Sequence, residues 1–129
     1  ALIKPETYMN LSGRAVAEFS ANFGVSGDNI IVAYDDSDLP LGRIRIRPGG
    51  GSGGHRGVES VILSLSSAGF KRIRLGIGRG RTELKDYVLS RFAPEEAHEA
   101  ARMLERAASS VEVIVKEGVD AAMNRFNAS

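Results

Sequence analysis

Residues 42–57 read Gly-Arg-Ile-Arg-Ile-Arg-Pro-Gly-Gly-Gly-Ser-Gly-Gly-His-Arg-Gly, and the two halves of this stretch obey different rules. From Gly42 to Arg47 the alternation has a period of two. Ile44 and Ile46 fall on one side and Arg43, Arg45 and Arg47 on the other, which predicts a strand with an apolar face and a cationic face. Pro48 closes the strand and a glycine-rich loop runs to Gly57. Val58, Val61, Ile62 and Leu65 then recur at helical spacing, so the stretch and its continuation read strand, loop, helix.

Working outward, Ile30-Ile-Val-Ala33 is a short β-branched run that predicts a strand over 29–34, buried on both faces, ending in Tyr34-Asp35-Asp36-Ser37-Asp38. Leu11, Ala15, Phe19 and Phe23, with Val16, mark one face of an earlier helix stopped by Gly24. Phe70 to Ile77 predicts another strand, followed by the basic loop Gly78–Arg81. Residues 84–92 fit no single pattern. Pro94 suits a first helical position. From there Ala97, Ala101, Leu104, Ala108, Val111 and Val115 predict the apolar face of a long helix ending near Gly118, with a short helix over Val119–Phe126. Strands alternating with helices make this an α/β chain. The expectation is one domain over 1–129: a mixed, partly parallel β-sheet flanked by helices, with a long C-terminal amphipathic helix. The short link between 29–34 and 42–47 predicts that those two strands pair antiparallel. Ala1-Leu-Ile-Lys-Pro5 reads as the end of a strand without an initiator methionine, which predicts a truncated chain and an edge that invites self-association.

Composition narrows the class of function. Without cysteine, disulfide and thiolate chemistry are excluded, and no apolar run approaches the roughly 20 residues that cross a bilayer. Nothing resembles a signal peptide, so a cytoplasmic protein without a structural metal is expected. The net charge of +1 hides an asymmetry. Between Arg43 and Arg81, nine bases (Arg43, Arg45, Arg47, Arg56, Lys71, Arg72, Arg74, Arg79, Arg81) face one acid, Glu59. A basic middle of this kind suits a polyanion.

The motifs admit competing readings. Gly49-x-Gly51-x-x-Gly54 matches a dinucleotide loop, but so glycine-rich a segment fits by accident, and the acid wanted further on is replaced by Lys71, Arg72 and Arg74. There is no Gly-Lys-Ser/Thr, so a Walker loop fails too. Close approach to a ligand, or a moving lid, accounts better for the glycine. Arg43, Arg45 and Arg47 are either an edge that resists association or, with Arg74 on a neighbouring strand, a phosphate clamp, which the arginine fork favours. Asp35, Asp36 and Asp38 suit a magnesium site, an Asx-type turn, or a carboxylate that orients a histidine base. Asn10 is an ordinary N-cap candidate. His55 sits in the glycine loop, whereas His98 lies among Glu95, Glu96 and Glu99 on a solvent face.

Four ordered blocks carry a resemblance: Pro5-Glu-Thr-Tyr-Met-Asn-Leu-Ser-Gly13, Ala33-Tyr-Asp-Asp-Ser-Asp-Leu-Pro40, Gly49-Gly-Gly-Ser-Gly-Gly-His-Arg-Gly57 and Arg72-Ile-Arg-Leu-Gly-Ile-Gly78. The chain resembles bacterial peptidyl-tRNA hydrolases over nearly its whole length, including Ala121-Ala-Met-Asn-Arg-Phe126. The resemblance implies hydrolysis of the ester between a peptide and tRNA, with neither metal nor cofactor, by a monomer. It implies that Asn10 positions water or the reacting carbonyl, that Tyr8 lines the site of the tRNA end, and that Asp35 holds the catalytic histidine. Arg47 and Arg74 would grip the tRNA 5′ phosphate, and His55 would border the active site. Arg56 stands where many members carry a substrate-binding asparagine. The family's catalytic histidine precedes the region matched by Ala1, so low turnover is expected of residues 1–129 alone. The alternative is a non-catalytic RNA-binding member, since the same fold serves a chloroplast splicing factor.

Overall fold

The computed structural model describes residues 16–18, 21, 29–53, 56–66, 68–78 and 94–127. Its elements are β1 (Ile31–Asp36), β2 (Ile44–Arg47), α1 (Arg56–Leu65), β3 (Lys71–Gly76), α2 (Pro94–Glu117) and α3 (Val119–Phe126). Residues 16–18 and 21 are helical, inside the first expected helix. The strand expected near 1–4, the Asn10 cap, the Gly24 stop and residues 84–92 lie outside the described residues.

The alternation at 42–47 has the expected result: Ile44 and Ile46 are fully buried, while Arg43 and Arg47 are exposed and Arg45 is half-buried. The described strands form a sheet in the order β1-β3-β2. β2 runs antiparallel to β3, with Ile44 opposite Leu75, Arg45 opposite Arg74, Ile46 opposite Ile73 and Arg47 opposite Arg72. The Lys71 N–H donates to the Ile30 carbonyl at 3.0 Å and the Ile77 N–H to the Asp36 carbonyl at 3.1 Å. Both strands therefore advance together, and the sheet is mixed and partly parallel.

The direct pairing expected between 29–34 and 42–47 is not made, because β3 occupies the place between them. The link from Asp36 to Arg43 crosses the end of β3. Gly78 N–H donates to the Leu39 carbonyl at 3.0 Å and Gly76 N–H to the Arg43 carbonyl at 2.8 Å. Only glycine at 76 permits that crossing: a Cβ there would collide with the Pro40 carbonyl oxygen and stand 2.9 Å from that of Arg43. The expected burial of the 29–34 run on both faces is also corrected. β1 is half-buried with Ala33 exposed, since it is outermost among the described strands. The deeply buried strand is the central one, β3, where Arg72, Ile73, Leu75 and Gly76 are all covered.

The chain divides into two compact units, Ala1–Val32 with Pro48–Lys71, and Ala33–Arg47 with Arg72–Ser129. In the first, Val58 and Val61 of α1 are buried as their spacing requires, together with Phe70. The glycine loop is tied down where Gly50 N–H donates to the Ala68 carbonyl at 3.2 Å.

In the second unit, α2 begins at Pro94 and ends before Gly118, whose φ of 97° turns the chain into α3. Its buried stripe, however, is Ala100, Met103, Ala107, Ser110 and Ile114. The face expected inside, through Leu104, Val111 and Val115, is the exposed one, and Val115 is 73% exposed. Both stripes follow the same 3–4 spacing, and Ser110 disguised the true one. Its hydroxyl is satisfied internally, donating to the Ala107 carbonyl at 2.6 Å, so it enters the core without an orphaned polar group.

Helix α3 packs against α2 and β2. Immediately after it, the Asn127 amide pairs with one residue of β2. Ile46 N–H donates to Asn127 Oδ1 at 2.7 Å, and Asn127 Nδ2 donates to the Ile46 carbonyl at 3.0 Å. A single side chain thus satisfies both outward main-chain groups of Ile46 on a strand that is outer among the described ones, as a further strand would.

Candidate functional site

Residues opposite one another in an antiparallel pair share a face. The register of β2 and β3 therefore places Arg45, Arg47, Arg72 and Arg74 together on one face, with Ile44, Ile46, Ile73 and Leu75 on the other. Arg47 and Arg74 stand diagonally across this cationic face.

The four arginines are not equivalent. Arg72 is 2% exposed. Burial pulls its pKa down from the ordinary arginine value, partly countered by charge interaction and a hydrogen bond with Tyr34. Burial in turn raises the Tyr34 phenol above the ordinary tyrosine value, against the lowering effect of Arg74 and Arg72. Arg74 is partly accessible and bonded to Asp36: its Nε donates to Asp36 Oδ2 at 2.7 Å. The other carboxylate oxygen, Oδ1, accepts from the Asp38 N–H at 2.8 Å. That is an Asx-type turn, one of the readings open for the aspartate run. Among the described residues no group of three or more His, Cys, Asp or Glu is arranged to hold a metal ion.

Tyr34 and Asp36 reach arginines of the cationic face, so strand alternation turns the intervening Asp35, half-buried near the end of β1, to the opposite face. Arg47 ends β2 and is exposed. Arg56 opens α1, and its side chain lies outside the described residues, as do Tyr8, Asn10 and His55. The structure thus brings Arg47 and Arg74 to one face and separates Asp35 from it. Sequence reasoning missed the parts played by Tyr34, Asp36 and buried Arg72. The signal was available in part: Tyr34 and Asp36 are two residues apart on a strand and so share a face. Their partners required the strand order.

This face offers one guanidinium, that of Arg74, fixed and partly solvated, with exposed Arg47 and half-buried Arg45 on the same side, an arrangement suited to holding phosphate oxygens by paired hydrogen bonds.

Comparison with known proteins supplies the context. The family model described as peptidyl-tRNA hydrolase matches residues 1–129. A peptidyl-tRNA hydrolase of Clostridium botulinum (strain Alaska E43 / Type E3) is 48% identical over 126 residues, covering 98% of this chain and 66% of the relative. One from Chloroflexus aggregans is 47% identical over 130 residues, covering 98% and 69%. The crystal structure of the peptidyl-tRNA hydrolase from Acinetobacter baumannii superposes with a TM-score of 0.81 at 34% identity, over 96% of this chain and 64% of that one. The chain spans about two thirds of the length of the relatives it matches.

Proposed function

The chain belongs to the peptidyl-tRNA hydrolase family, and from that premise we propose that it serves hydrolysis of the ester linking a peptide to tRNA. The observation that carries this reading is the register that lines up Arg45, Arg47 and Arg74 on one face of the sheet. Arg47 and Arg74 grip the 5′ phosphate of the tRNA and hold its other end for reaction. At the reacting ester a histidine acts as general base on water, Asp35 keeps that histidine oriented and basic, and Asn10 polarises the carbonyl. Tyr8, His55 and Arg56 line the substrate's path. In this reading the histidine is the one that the family resemblance implies ahead of the matched region; His55 and His98 are the histidines of residues 1–129. On this reading the protein works as a single-domain cytoplasmic monomer, by chemistry that needs neither metal nor cofactor. Among the described residues no helix is long and apolar enough to cross a membrane.

The test is tRNA binding across a salt series. Phosphate contacts release counterions, so affinity falls with salt on a logarithmic slope that shrinks by roughly 0.7–0.9 for each contact removed. Arg47→Ala and Arg74→Ala should each weaken binding at low salt and flatten that slope. Unchanged affinity in both variants would sink the reading.

A further inference from the structure

We propose that Asp36 is a positioning residue for phosphate recognition: it holds the Arg74 guanidinium by Nε so that the Nη1–Nη2 end is presented to the tRNA phosphate. The inference rests on the reading of Arg74 given above and extends it to a residue that has no place in the hydrolytic scheme. A carboxylate beside an anion site is at first sight a defect, because it repels phosphate and offsets part of the charge that attracts it. The geometry supplies the compensating benefit. A free arginine carries considerable rotamer entropy, which phosphate binding must overcome each time. Asp36 removes much of that freedom in advance. The carboxylate itself cannot swing, because Oδ1 is pinned by the Asp38 N–H at 2.8 Å while Oδ2 receives Arg74 Nε at 2.7 Å.

The main chain of the same residue is also committed. Its carbonyl accepts from Ile77 N–H at 3.1 Å and Leu39 N–H at 3.4 Å, so the carboxylate is mounted on the fixed junction between β1 and the end of β3. The guanidinium fork does the rest. A carboxylate at Nε leaves the two terminal nitrogens as a parallel pair of donors, the geometry that phosphate oxygens accept. Arg45 lies opposite Arg74 and Arg47 on the diagonal, so the held guanidinium shares its face with further positive charge. Arg72, next on the same face, is buried and bonded to Tyr34, and takes no part at the surface.

The experiment measures affinity of the full chain, at low salt, for one tRNA in two forms: with its 5′ phosphate and after enzymatic removal of that phosphate. Wild type should prefer the phosphorylated form, and Arg74→Ala should abolish the preference. Asp36→Ala should lose roughly tenfold in affinity for the phosphorylated tRNA, the size of one charge-assisted bond. Affinity for the dephosphorylated form should not fall, since loss of the carboxylate only removes a repulsion from the remaining phosphates. Asp36→Asn, which preserves shape if the alanine variant folds poorly, should fall in between, and Asp36→Glu should restore part of the preference. Three results would overturn the inference while leaving Arg74 in place: a preference that survives in both Asp36→Ala and Asp36→Asn, tighter binding of the phosphorylated tRNA on loss of the carboxylate, or an equal drop for both forms of tRNA. If Arg74→Ala keeps the preference, the phosphate reading itself fails and takes this one with it.

Discussion

Tyr34 shows how one residue's environment becomes measurable. Burial raises its pKa in the folded chain, so the unfolded chain loses the phenolic proton first. Below the ordinary tyrosine value, near 10, the favourable neutral form contributes in full, and stability declines as pH climbs from there through the raised value. Tyr34→Phe should therefore flatten the alkaline limb of a stability–pH curve followed by urea denaturation. An unaltered limb would show that Tyr34 is not the group responsible. Gly76 is a steric counterpart. A methyl group there has to displace the Pro40 and Arg43 carbonyls, and Gly76→Ala should cost at least about 1–3 kcal/mol in chemical denaturation. The glycine was visible in the sequence, but its necessity was not, because the segment that crosses it is distant along the chain.

At the scale of elements, α2 divides what periodicity can and cannot tell. Its start at Pro94 and its end before Gly118 were both legible, since they depend on local chemistry. The face it buries was not. Two apolar stripes lie one residue apart along the helix, and Ser110 made the correct one look the poorer. The contrast is testable with neighbouring residues. Ile114→Ala should destabilise by about 2–5 kcal/mol, as cavity-forming substitutions do. Val115→Ala should change stability by less than about 0.5 kcal/mol, as exposed positions do. Comparable losses in the two variants would mean that the helix is rotated from its described position. The strand at 42–47 was read correctly because alternating isoleucine and arginine leaves only one register-independent face for the core.

Across the whole molecule, fold class and family were legible from ordered sequence blocks, whereas strand order was not. A short link between two strands predicts their pairing only when no other strand enters, and β3 arrives later in the chain to do so. The same gap hid the Arg74–Asp36 bond, whose partners are 38 positions apart. For the catalytic reading, residues 1–129 taken by themselves should bind tRNA yet turn over peptidyl-tRNA slowly, because general-base attack needs a positioned base. Near-normal rates in a hydrolysis assay would require one of their own histidines to serve. Finally, the Asn127 amide that clasps Ile46 gives one residue just past α3 an unexpected weight. Asn127→Ala would strip that cover and leave the outward N–H and C=O of Ile46 open to strands of other molecules. Light scattering should then rise above that of the unsubstituted chain at equal concentration, and equal scattering would show that the clasp does not guard this edge.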